Sequence, residues 1–121
     1  MKFSTNFHEM SEIFALIART EAKVEKYIIA ENEYNKASHE YTRSDYNFVK
    51  GMEMSDKYDA MEKARKTMMA YFKKVVFAFE LDKTNYEDRS MIEESTRYYE
   101  PFRFLRSAKH EAMRLAKYIE L

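Results

Sequence analysis

Tyr27, Tyr34, Tyr41 and Phe48 recur every seven residues, and Ala30, Ala37 and Ser44 stand three places after the three tyrosines. Seven-residue spacing with a second site three along is the a/d pattern of a helix lying on another helix. Small residues at d let the two backbones approach closely. The middle of the chain is therefore confined to a long helix that needs a helical partner. With one Gly and one Pro in 121 residues, little turn chemistry is left for a strand-rich fold, whereas Glu, Lys, Ala, Met and Arg favour helix. The expectation is one all-α domain over 1–121, an antiparallel helical hairpin or bundle of three to four helices with a long first helix.

Asn6 followed by Glu9 is a start signal, and apolar residues then recur from Phe7 through Met10, Ile13, Ile17 and Val24 to Tyr27. Nothing between Ser11 and Lys50 is Gly or Pro, so the first helix is expected over about 6–50, ending at a left-handed cap on Gly51. If it breaks, the polar run from Glu31 to Asn35 is the weakest point. Ser55 or Asp56 can cap a second helix over about 55–81. Thr84 and Glu87 form a capping box that opens a third over 85–99, and Pro101 separates it from a last helix over 101–120. On that last helix Phe102, Leu105, Ala108, Ala112, Leu115, Ala116 and Ile119 are expected to be buried.

The second helix carries the complementary seam at Tyr58, Met61, Arg65, Met68, Phe72, Val75 and Phe79. A turn at 51–55 pairs Phe48 with Tyr58, Ser44 with Met61, Tyr41 with Arg65, Ala37 with Met68, Tyr34 with Phe72, Ala30 with Val75 and Tyr27 with Phe79. In that register Arg65 stacks on Tyr41 or bonds its hydroxyl, fixing alignment more than it stabilises. The N-terminal third of the first helix then protrudes with a broad apolar stripe, which self-association would cover.

Charges balance at 21 basic and 21 acidic residues, so no global field draws the chain onto nucleic acid or anionic membrane. Segregation is local. Residues 101–121 hold five Lys/Arg against two Asp/Glu, and residues 80–100 hold seven acidic against three basic. Arg103, Arg106, His110, Arg114 and Lys117 fall within about an 80° arc of the last helix. That face is the candidate site for an anionic partner, or else a solvated face paired with the acidic third helix. Each histidine precedes a glutamate (His8, His39, His110), but neighbouring helical residues diverge by about 100°, so no metal site and no cofactor are expected. No nucleophile, carboxylate pair or phosphate-cradling loop is recognisable. The lack of cysteine excludes disulfides, and no apolar run reaches the ~20 residues needed to span a bilayer. The expected location is the cytoplasm.

Arg103 and His110, seven residues apart, loosely resemble the arginine and histidine motif of HEPN-type ribonucleases, small all-α dimers that gather such pairs across an interface to cleave RNA. Phe104 stands where that family usually carries a polar residue. The Lys/Glu/Tyr/Met-rich, Gly-poor style also resembles small accessory proteins of phages and mobile elements, including inhibitors of host machinery. Nine Met, nine Phe and ten Tyr exceed what a core of this size can hold with every hydroxyl satisfied. The expectation is a non-catalytic protein that binds another protein or a second copy of itself. The alternatives are nucleic-acid binding by the last helix and an HEPN-like ribonuclease.

Overall fold

The computed structural model describes the backbone of residues 7–120 and the side chains of residues 10–117. Four helices follow one another, α1 (Phe7–Arg43), α2 (Phe48–Ala78), α3 (Tyr86–Glu94) and α4 (Pro101–Glu120), with no strand among the described residues. The fold is an all-α bundle. α1 and α2 make an antiparallel hairpin, α4 packs along the N-terminal half of α1, and α3 packs on α4. The expected start signal at Asn6 and the side chains of His8, Glu9, Tyr118 and Ile119 lie outside the described residues.

The turn between the long helices sits one heptad earlier than the sequence suggests. α1 runs unbroken through Glu31–Asn35 but stops at Arg43 instead of near residue 50. Its end is a Schellman closure: the Tyr46 amide donates to the Tyr41 carbonyl (3.2 Å) and the Asp45 amide to the Thr42 carbonyl (3.3 Å). Asp45 takes the left-handed conformation that this closure needs, at φ 58°, and Tyr46 follows at φ 63°. Asn47, not Ser55 or Asp56, then caps α2, its side chain accepting from the amides of Val49 (2.9 Å) and Lys50 (3.2 Å). Gly51 lies inside α2 and has no positive φ. Glycine should suit position 45 better than aspartate does. Asp45→Gly is expected to raise the urea midpoint by the equivalent of about 0.5–1 kcal/mol with an unchanged m value. A lower midpoint would count against the closure.

Moving the turn by seven residues slides an antiparallel register by fourteen. Tyr34, expected opposite Phe72, instead meets Tyr58 edge-on at 5.4 Å between ring centroids. Glu33 pairs with Lys57 at 3.3 Å, and Tyr41 lies on Gly51 and not beside Arg65. Heptad positions are preserved because the shift is two whole heptads. Burial decides between the two registers. In the observed one the apolar part of α1 (Ile13, Ile17, Thr20, Val24) shares a core with Met68, Phe72, Val75 and Phe79 of α2. The expected one would have left that part of α1 without α2. From Met10 onward the N-terminal stripe is thus covered, by α2 and by Phe104, Leu105, Ala108, Ala112 and Leu115 of α4, while Phe7 lies outside the described side chains.

The remaining bounds differ for local reasons. α2 ends at Ala78, three residues early, where Glu80 at φ 53° repeats the left-handed closure. Asn85 caps α3 in place of Thr84, accepting from the Glu87 (2.9 Å) and Asp88 (3.2 Å) amides, while Thr84 turns back to Asp82. α3 stops at Glu94, not at residue 99, because Ser95 and Thr96 bond back to the Ile92 and Glu93 carbonyls, competing with helix continuation. Pro101 occupies the first helical position of α4, where its missing N–H costs nothing. Phe102, expected inside, is half exposed, and Phe104 takes its place in the core. On the α4 wheel Phe104 lies about 60° from the centre of the buried face and Phe102 about 100°.

Candidate functional site

One end of the molecule is a hairpin and nothing else. Between Tyr27 and Met68, Ala37 is the only buried residue, so residues 28–43 and 48–64 form a two-helix prong. At 1.5 Å per residue it projects roughly 25 Å beyond the four-helix end. Its tip carries the most concentrated exposed apolar surface among the described residues: Tyr46, Phe48, Val49 and Met52 are 65%, 79%, 59% and 55% exposed. On the first turns of α2, Phe48, Met52 and Val49 fall within about a 100° arc.

The tip is built rigidly enough to present these side chains. Ser44 Oγ donates to the Tyr41 carbonyl (2.8 Å) and accepts from the Asn47 amide (3.2 Å), tying both helix ends to one hydroxyl. Tyr46 stands edge-on to Tyr41, with centroids 5.4 Å apart. Tyr41 in turn stands against α2 at Gly51. A Cβ at Gly51 would stand 2.9 Å from Tyr41 Cε1, so any larger residue there would displace the ring. The glycine that resembled a cap in the sequence is the floor for a tyrosine. Of the expected seam, Ser44 therefore belongs to the turn and Phe48 to the exposed tip.

The rest of the seam is packed to different depths. Tyr27, Ala37, Met68, Phe72, Val75 and Phe79 are buried, Ala30, Tyr34, Tyr41, Met61 and Arg65 are half-buried, and Tyr58 is exposed. Arg65 finds an aromatic partner, but it is Tyr98 of the α3–α4 connection, 5.0 Å from guanidinium to ring centroid. Glu62 accepts from Arg65 Nε (3.1 Å) and Nη2 (2.6 Å), which holds the Glu62 carboxyl below its ordinary range. Across from it the Tyr27 hydroxyl donates to Glu31 (2.8 Å), and burial, with that carboxylate beside it, raises the phenol above its usual value. This polar cluster closes the four-helix core where the prong begins.

The basic face of α4 is exposed at Arg103, Arg106, His110, Arg114 and Lys117, yet part of its charge is already matched. Arg103 lies 3.4 Å from both Glu94 and Glu100, and Arg114 Nε bonds Glu111 at 3.0 Å. Lys109 beside it pairs with Glu21 of α1. Phe104, the residue between Arg103 and the rest of the HEPN-like pair, is wholly buried against Phe72 at 4.5 Å. Its apolar character is thus explained by the core. Arg103 and His110 themselves sit on the outside of one helix. Among the described residues no three His, Asp or Glu side chains converge as a metal ion requires, and no helix is long and apolar enough to cross a membrane.

An open groove of about 630 Å³ runs between the end of α2 and α3 over Val76, Leu81 and Ile92, with Phe77 on its rim at 84% exposure. The sequence offered no sign of it, because it depends on the left-handed closure at Glu80. No protein-family model, curated protein or solved structure matches this chain.

Proposed function

We propose that the chain is a non-catalytic helical protein that grips another protein, or a second copy of itself, with the tip of its prong. The observation that carries this reading is the exposed cluster Tyr46, Phe48, Val49 and Met52 on a turn fixed by backbone and Asn47 bonds. Aromatic and methionine side chains are the typical anchors of such contacts, and a preset turn lowers the entropy lost on docking. The accessory or inhibitor role, in the cytoplasm of a host cell, rests on the resemblance of composition alone. A photo-cross-linking residue at position 48 should give discrete adducts in cells making the protein, which Met52→Asp removes and the same residue at the exposed position 25 does not give. An adduct of twice the chain mass identifies self-association. The absence of adducts at 48, or the same adducts from both positions, would overturn the reading. Both tip positions are exposed, so the substitutions should change stability by no more than about 0.5 kcal/mol.

A further inference from the structure

Neutral overall charge conceals a second, basic face on the side of the hairpin. From Lys63 to Ala78 α2 contains Lys63, Arg65, Lys66, Lys73 and Lys74 and no acidic residue. Lys63, Tyr71 and Lys74 lie within about an 80° arc of α2, and Arg19, Lys23 and Lys26 within about 60° on α1. The two arcs meet at Tyr71. Lys74 Nζ stands 4.4 Å from the ring centroid and Lys23 Nζ, from the other helix, 5.6 Å. The acidic residues of the same part of α1, Glu21 and Glu25, lie about 100° or more from each of the three on the wheel. Glu21 is drawn to Lys109 on the α4 side. Among the described residues none of Arg19, Lys23, Lys26, Lys63 and Lys74 forms an ion pair with a carboxylate.

Two ammonium groups held on one ring without an anion repel each other, and that repulsion is relieved when an anion arrives. We infer that this face binds the phosphodiester backbone of nucleic acid, with Tyr71 positioning Lys23 and Lys74 between neighbouring phosphates. Lysine-rich composition favours this partner over an acidic protein surface, because lysine is depleted from protein interfaces whereas phosphate contacts use it as a point charge. The interleaved aromatic is the element that the basic face of α4 lacks. Binding is non-specific in sequence, since nothing here can read base edges.

The test uses fluorescence polarisation of the full chain with a labelled 30-base-pair DNA duplex and an RNA duplex of the same sequence, from 20 to 200 mM salt. Binding of either duplex is expected, with a slope of about −4.5 in log K against log salt if all five cations engage phosphates. Lys23→Glu/Lys74→Glu should weaken it about ten-fold or more, and Arg106→Glu/Arg114→Glu should leave it unchanged within about two-fold. If the first pair fails to fold by circular dichroism, Lys26→Gln/Lys63→Gln, at exposed positions, tests the same face. No binding at 20 mM salt overturns the inference. So does a loss caused by the α4 variant and not by the hairpin variants, and so does poly-glutamate competing as well as unlabelled duplex, which would assign the face to an acidic protein.

Discussion

Phe72→Ala should cost about 3–5 kcal/mol and take away most of the stability of the four-helix end. Phe72 is fully buried, and its ring lies 4.5 Å from that of Phe104, so one side chain joins α2 to α4 across the core. Truncation leaves a cavity bordered by helices whose backbones are fixed by their other contacts, and incomplete collapse puts the cost near the upper end. Urea unfolding followed by circular dichroism measures it. Phe104→Ala should cost a similar amount, and the double variant should fall short of the sum by about 0.5–1.5 kcal/mol, the coupling of two rings in contact. Strict additivity would mean that the rings do not communicate and that α4 is held by something else.

Ala112→Leu should cost about 1–3 kcal/mol by the opposite route, overpacking. Ala108 and Ala112 are 1% and 0% exposed and stand one turn apart on the face that α4 turns to the core. They set how closely α4 approaches α1, and a leucine has no space without moving a helix. Ala108→Leu/Ala112→Leu should be worse than either alone and should free α4 selectively. Near-ultraviolet circular dichroism from the tyrosines is then expected to collapse at lower denaturant than the far-ultraviolet helix signal. Coincident transitions of unchanged midpoint would show that the two alanines do not set the spacing.

The sequence made the bundle legible because the heptad seam is a strong pattern, and the α2 side of the hairpin core, Met68, Phe72, Val75 and Phe79, uses the residues it marks. It could not make the register legible. A seven-residue repeat is blind to a turn displaced by seven residues, since each a and d position lands on another of its kind. Burial of the N-terminal part of α1 chose between the alternatives, and the turn it requires at 44–47, where Asp45 and Tyr46 take left-handed conformations, has no glycine to announce it. The one glycine pointed the wrong way, because its use is steric, under Tyr41. The candidate surfaces followed from this error. A late turn exposes the N-terminal stripe, whereas the true turn buries it and exposes Phe48 and Val49. The basic face of α4 was visible because it lies on one helix; the Tyr71 face was not, because Lys23 and Lys74 come together only once the register is known.

The prong and the bundle differ in how they are held, and this shapes what binding can do. With Ala37 as the sole buried side chain between Tyr27 and Met68, the prong's order comes from its own helical hydrogen bonds, its turn and a thin aromatic seam. Such a segment opens locally at a fraction of the free energy that opens the core. A partner that closed on the tip would therefore strengthen a segment less firmly held than the core. The free energy it spends doing so is subtracted from its grip, so substitutions along the prong's seam, at half-buried Tyr34 or at Tyr58, would change such a partner's affinity without touching it.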